Sequence, residues 1–282
     1  QRKTPKQIVK QIHDWITRKK IYQKDLELMG ERNSYSKTDT DATFMRMKDD
    51  YMKNGQLKPG YNLQVATENQ YTLAYDVYSN PTDTKTLVPF LETITDQYFE
   101  LPKHIVADAG YGSEVNYQNV LETHERIPLI TYNMYRKEGK KKFQQDPTKT
   151  SNWIYNEKTD SYTCPNEKQL TYQYDASRKD RSGYIRTFKV YQCEDCSNCP
   201  IRSLCTKAAE GTHRKLYVNM KWEQQKSYIR QKLSEPKTAE IYRQRKIDVE
   251  PVFGFLKANL GFTRFSVRGK SKVKNEIEIG RA

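Results

Sequence analysis

Residues 104–113, "HIVADAGYGS", limit the fold more than any other part of the chain. Ile105, Val106 and Ala107 form an unbroken apolar run, the pattern of a strand covered on both faces, and Asp108 stands where the run stops. Ala109, Gly110, Tyr111 and Gly112 turn the chain, and Ser113 with Glu114 reads as the start of a helix. A carboxylate at such a tip has two explanations. It can cap the turn or helix that follows, or it can offer oxygens at the carboxyl end of a sheet, where α/β folds gather their ligands.

The flanking sequence supplies the rest of a sheet. Tyr61, Leu63 and Val65 alternate with polar residues, and after a polar turn Tyr71, Leu73, Tyr75 and Val77 alternate again, which predicts an antiparallel hairpin. Leu87, Leu91, Ile94 and Tyr98 recur at helical spacing, with Pro89 acceptable in the first turn. "EVNYQNVLETHE" reads as a helix and "IPLITYN" as another buried strand. Together these predict a mixed α/β sheet with helices packed against it. Ahead of them, Thr4, Pro5 and Gln7 form an N-cap, first-turn proline and capping-box residue for a helical arm carrying Ile8, Ile12, Trp15 and Ile16. His13 on that arm suits a surface or packing role.

The chain has 282 residues, enough for one large core or two modest domains. Its 49 Lys and Arg outweigh 35 Asp and Glu, a formal +14, which fits a polyanionic partner such as nucleic acid as well as plain solubility. No apolar run is long enough to cross a bilayer and no signal peptide is recognisable, so the chain reads as intracellular. It opens on Gln1 and stops within the helical pattern "EIEIGRA", as a fragment would.

From about residue 135 to 240 the regular patterns break down. "YRKEGKKKFQQDPTKTSN" reads as an exposed loop, followed by short Tyr-rich strand pieces. All five cysteines fall here: Cys193, Cys196, Cys199 and Cys205 at close spacing, and Cys164 upstream beside Pro165. In an intracellular chain such clustering suits a structural Zn²⁺, since thiolates two residues apart can grip one ion from a tight turn. Cys164, Cys196, Cys199 and Cys205 are the choice that joins separated strand pieces, with Cys193 able to replace any of them. Packed, unreactive thiols are the alternative.

A second notable carboxylate lies in "YRQRKIDVEPVFGFLK". Glu250 precedes Pro251, which fits the first turn of a helix or a kink, and Lys257 follows two helical turns on. Arg243 and Lys246 share that face if the helix continues through the proline. An ordinary ion-pair face has the same composition.

"ADAGYGS", "VEPVFGFLK" with "GFTRFSVRG", the Cys-rich segment between them, and "TDTDATFM" with "GYNLQVATENQ" together resemble bacterial insertion-sequence transposases with a DDE catalytic domain, in the expected order from about residue 36 onward. The resemblance implies a ribonuclease-H-like fold, a mixed sheet flanked by helices and interrupted by a small zinc-bearing β insertion. It implies four parts: an N-terminal helical arm and linker at 1–50, the first part of the catalytic core at 51–134, the insertion at 135–240 and the C-terminal helical part at 241–282. It further implies that Asp108 and Glu250 hold Mg²⁺ or Mn²⁺ for DNA strand cleavage and strand transfer, and that Lys257 contacts DNA near the cleaved end. A tyrosine and an arginine precede the glutamate in related enzymes. Here Arg243 and Lys246 occupy those positions, while Tyr242 and Arg245 are displaced by one.

The family's first aspartate sits in an Asp-Gly-Thr-like motif that residues 1–60 do not contain; the resemblance puts it on a strand ahead of Gln1, and Asp41, with Asp39 second, sits in the family-like "TDTDAT" block where it could approach the site. The expected partners are transposon-end and target DNA bound by a possible homodimer on paired ends, in a cytoplasmic, nucleoid-associated setting. "YRKEGKKK", "SRKDRSGYIRTFK" and "RFSVRGKSKVK" can follow a DNA backbone, with Tyr184 able to stack on bases. A DNA-binding remnant lacking the first aspartate, and a zinc-ribbon interaction module, are the competing readings.

Overall fold

A computed structural model describes residues 4–47, 54–180, 182–259, 261 and 264–279. In chain order the first elements are helix α1 (Pro5–Met29), strands β1 (Thr43–Arg46), β2 (Leu57–Gly60), β3 (Asn62–Glu68) and β4 (Tyr71–Tyr78), and helix α2 (Leu87–Gln97). Then come β5 (His104–Ala107), α3 (Glu114–Gln118), β6 (Ile127–Ile130), the short helices α4 (Tyr135–Glu138) and α5 (Lys141–Gln144), and strands β7 (Ile154–Asn156), β8 (Ser161–Thr163), β9 (Gln169–Lys179) and β10 (Ile185–Cys193). Helix α6 (Arg202–Cys205), strand β11 (Lys215–Val218) and helices α7 (Met220–Ser234), α8 (Pro236–Gly254) and α9 (Lys270–Ile279) complete the order. The architecture is mixed α/β, with four sheets among the described residues. The chain divides into two units, Gln1–Glu100 with Arg245–Ala282, and Leu101–Gln244.

In the first unit the expected capping box forms: the Thr4 amide donates to Gln7 Oε1 at 2.9 Å, ahead of Pro5. Ile8, Ile12, Trp15 and Ile16 do lie along α1, and all four are exposed. The predicted antiparallel hairpin forms as β3–β4, with Val65 opposite Tyr75 and Leu63 opposite Val77. Asn69 and Gln70 both turn through positive φ, the left-handed pair that suits the twist of a tight hairpin. Tyr75 and Val77 pack against Val273 and Ile277 of α9 in an apolar cluster. The Lys274 ammonium reaches the buried Asp76 carboxylate at 2.8 Å in the same place. Burial opposes the charge on Asp76, but Lys274 and the Val77 amide outweigh it and hold the carboxyl below its usual range. Pro89 occupies the first turn of α2, whose Leu87, Phe90, Leu91 and Ile94 are buried.

In the second unit β5 and β6 pair in parallel, Ile105 opposite Pro128 and Ala107 opposite Ile130. The connecting helix is shorter than its pattern predicts: α3 ends at Gln118 and the chain widens into a π turn over Asn119–Thr123. The wide turn leaves both Tyr117 and Val120 with no exposure before Arg126 N bonds Val120 O and the chain enters β6. The remaining strands form a five-stranded antiparallel sheet in the order β11-β10-β9-β8-β7 over an apolar cluster of Trp153, Leu170, Tyr191, Cys193, Cys196, Leu216 and Val218.

The segment predicted as a loop is partly helical, because Glu138 anchors it. Its Oε2 accepts from Tyr132 Oη at 2.7 Å and pairs with Arg230, and Asn152 ties the far side back to Phe143 O. Pro251 is not in a first turn, since α8 runs from Pro236 to Gly254 with the proline inside it and passes into a π turn over Phe255–Asn259. No described helix is long and apolar enough to cross a membrane.

Candidate active site

Asp108 occupies the place its sequence predicts, exposed at the end of β5. Its Oδ1 accepts the Gly110 amide at 2.7 Å, so it does cap the short turn over Ala109–Tyr111. Oδ2 makes no hydrogen bond or ion pair among the described residues. Asn116 Nδ2 holds the turn by donating to Tyr111 O at 2.7 Å. Gly112 serves packing: a Cβ there would lie 2.3 Å from Thr131 O and 2.8 Å from Tyr132 Cα, at the exit of β6. Protein backbone, and not open space for a ligand, fills the position a side chain would take at this glycine.

Six residues after Asp108, a carboxylate that the sequence marks only as part of a helix start gathers a buried polar cluster. Glu114 is 6 % exposed. Its Oε2 accepts from Asn219 Nδ2 at 2.7 Å and faces Arg186 Nε at 3.3 Å, and its Oε1 is reached by Tyr184 Oη at 3.2 Å. Tyr184 also bonds Gln118, and the Arg186 guanidinium lies over its ring at 5.2 Å from the centroid, so the residue is tied into this cluster by both its hydroxyl and its ring. Asn219 at the same time caps α7 through Oδ1 and the Trp222 amide at 2.9 Å, and Trp222 stacks on Tyr117 with centroids 5.8 Å apart. Nothing local marks Glu114 in the sequence as more than a first-turn acid, because its partners come 70 to 105 residues later.

In the other unit Asp41 and Asp39 meet the start of α9. Asp41 Oδ2 accepts the Lys270 amide at 2.9 Å, and Asp39 accepts the Gly269 amide at 3.2 Å and the Tyr61 hydroxyl at 2.8 and 2.9 Å. Acid at a helix N-terminus satisfies otherwise unpaired amides. Glu250 is exposed on α8, with no ion pair among the described residues. The π turn after Gly254 advances less per residue than an α-helix, so Lys257 swings off the line that an unbroken helix would share with Glu250. Lys246 and Lys257 are exposed, and Arg243 pairs with Glu240 at 2.7 Å on an open helix face. Tyr242 instead faces Thr131, hydroxyl to hydroxyl, at 3.1 Å. Arg181, Phe262 and Thr263 of the quoted basic and "GFTRF" motifs lie outside the described residues.

All five cysteines are free thiols, and all border one cleft that Trp153, Leu170 and Arg214 help to line. Cys196 Sγ accepts the Arg214 amide at 3.2 Å, and Asn198, at positive φ, turns the chain between Cys196 and Cys199. Cys193 borders the same cleft while its thiol donates to Asp195 O at 3.4 Å, and burial pushes that thiol up to about 12. Among the described residues no group of three or more His, Cys, Asp or Glu side chains is arranged to hold a metal ion.

Residues 163–280 match the family model described as Transposase DDE domain. Over that span, less than half of the chain, the protein is similar to DDE transposases, and the span takes in Cys164 through Cys205, Glu250 and Lys257 while Asp108 precedes it. No curated protein and no solved structure matches the chain.

Proposed function

We propose that the chain is a DDE transposase of a bacterial insertion sequence, cutting DNA strands and joining the freed ends to new DNA with divalent metal. The match over 163–280 carries this reading, because it includes the "VEPVFGFLK" block with Glu250 and Lys257. The exposed carboxylate of Asp108 at a parallel strand tip and the formal +14 support it. The reading brings with it a ribonuclease-H-like assembly of these sheets, a homodimer on paired transposon ends, and action on DNA in the bacterial cytoplasm.

Asp108 and Glu250 would hold Mg²⁺ or Mn²⁺, which suits them chemically: such ions take a few carboxylate oxygens and fill the rest of their shell with water and phosphate. Asp41 would add the oxygen left free by its bond to Lys270. Bound metal supplies activation of the attacking oxygen and stabilisation of the leaving one. Lys246 and Lys257, without carboxylate partners among the described residues, would meet phosphates directly, and Arg243 would exchange its exposed pair with Glu240 for one.

Asp108→Asn separates the catalytic role from capping, because the amide oxygen can still accept from Gly110. With Mn²⁺ or Mg²⁺ and end-labelled duplex DNA, the wild type is expected to nick and this variant to fall to background while its melting temperature is kept. Nicking retained by the variant would remove Asp108 from the chemistry.

A structural Zn²⁺ held by Cys164, Cys196, Cys199 and Cys205 belongs to the same proposal. Four thiols bordering one cleft suit zinc, and the amide bond to Cys196 Sγ is of the kind that steadies a thiolate. Since the side chains are not arranged around a common point, the site would close as metal binds, with the binding energy appearing as folding energy. Protein purified under reducing conditions should contain about one zinc per chain, and Cys196→Ser should lose both the metal and thermal stability. Metal-free protein of full stability would rule the site out.

A further inference from the structure

The sheet formed by β9, β10 and β11 has one face on its apolar cluster and the other in solvent, and the two faces differ in chemistry. On β11, Leu216 and Val218 are buried while Lys215 and Tyr217 point the other way. Val190 of β10 lies opposite both Tyr217 and Tyr174, which puts these three on the solvent face together with Phe188. A bulge in β9 makes this possible. Tyr172 pairs with Tyr191 and Tyr174 with Val190, so the extra residue, Gln173, reverses the phase and sends Tyr174 outward.

Two cations arch across the middle strand on this face. The Arg178 guanidinium sits 4.3 Å from the Tyr217 ring centroid and 5.5 Å from that of Phe188, and Lys215 Nζ sits 5.7 Å from that of Tyr174. Val190 is sealed beneath them, while Tyr174 and Tyr217 remain 44 % and 38 % exposed. Neither Arg178 nor Lys215 has a carboxylate partner among the described residues. On the opposite face, by contrast, Lys189 is neutralised by Asp160 at 3.1 Å, while at the far end of the platform face Arg186, in register with Arg178, is held by Glu114 and Asp180.

We propose that this face, carrying Tyr174, Arg178, Phe188, Lys215 and Tyr217, is a stacking platform for the unpaired bases of single-stranded DNA. Exposed rings held in place by uncompensated cations give a base a flat apolar surface and its phosphate a counter-charge, a combination that tolerates any sequence. A duplex hides its base faces and would gain the charge contact alone. The inference rests on the reading of DNA as substrate, and adds to it a distinct surface for bases that have left the double helix.

The test uses the full chain with no Mg²⁺ or Mn²⁺ added, so that cleavage plays no part and any Zn²⁺ held by the cysteines stays in place. Anisotropy of labelled oligo(dT), of an abasic oligonucleotide of equal length and charge, and of duplex DNA is measured with the wild type, with Tyr174→Ala/Tyr217→Ala, and with Tyr174→Phe/Tyr217→Phe. The wild type should bind oligo(dT) ~10- to 100-fold more tightly than the abasic strand, the range expected of one or two stacked bases. The alanine pair should lose most of that preference with duplex binding unchanged, and the phenylalanine pair should keep it. Equal affinity for oligo(dT) and the abasic strand, or a preference untouched by the alanine pair, overturns the platform while leaving duplex binding and nicking to support the proposed function. Absence of binding to every DNA would sink both.

Discussion

Gly112→Ala is expected to destabilise the Leu101–Gln244 unit by ~3 kcal/mol or more, at the upper end of what overpacking produces. The added methyl would lie 2.3 Å from Thr131 O and 2.8 Å from Tyr132 Cα, and both obstacles are backbone, which cannot rotate aside as a side chain can. Gly112 has φ −71° and ψ 94°, a conformation open to alanine, so the whole effect is steric and none of it is backbone strain. To relieve the clash the Asp108 turn must part from the exit of β6. That movement strains the Asn116 bond to Tyr111 O and the Tyr117 hydroxyl bond to Ile130 O at 2.9 Å. Urea unfolding followed by tryptophan fluorescence reports it, because Trp222 stacks on Tyr117. Gly139→Ala is the control: its Cβ would have nothing closer than 3.8 Å, so stability should hold or rise slightly. Wild-type stability in the Gly112 variant would show that the turn is not pinned against β6.

These two glycines illustrate which features a sequence can reveal. Period and capping are local, so the β3–β4 hairpin, the start of α1 and the first turn of α2 with its proline could all be read from short windows. The apolar run ending at Asp108 gave the strand tip for the same reason. What could not be read depends on distant partners. The need for glycine at 112 is set by backbone 19 residues on, at Thr131, and the basic segment around Arg186 looked like a uniform DNA-facing stretch until the strand put Arg186 and Lys189 on opposite faces, each with its own carboxylate. The bulge that turns Tyr174 outward and the π turns that shorten α3 and displace Lys257 are one-residue departures from regular period, to which a pattern search is blind. The cysteines were legible as a cluster through spacing alone, but their common cleft requires β8, β9, β10 and β11 to be assembled first.

Glu114→Ala is expected to lower stability by ~2–3 kcal/mol, below the usual range for breaking a fully buried ion pair because Arg186 is partly exposed and keeps Asp180 at 2.8 Å. The larger part of the loss comes from Asn219. Its Nδ2 loses the acceptor at 2.7 Å inside the protein, where an unpaired donor is expensive, while its Oδ1 must still cap α7. Glu114→Gln should be milder, ~1 kcal/mol, since one amide oxygen can serve Asn219 and the amide nitrogen can donate to Tyr184 Oη or Gln118 Oε1. Asp180→Asn, which can keep the turn bonds from Ser182 and the Tyr184 amide and removes the exposed charge beside Arg186, should leave the melting temperature nearly unchanged. The ordering Glu114→Ala, then Glu114→Gln, then Asp180→Asn distinguishes a buried hydrogen-bonded clamp from simple charge balance, which would make the Glu114→Gln and Glu114→Ala variants equal. The clamp also lies where it matters for the proposed chemistry. Glu114 begins the helix that leaves the Asp108 turn, and its partners come from β10 and the cap of α7, so the clamp fixes the segment that follows that turn within its own unit.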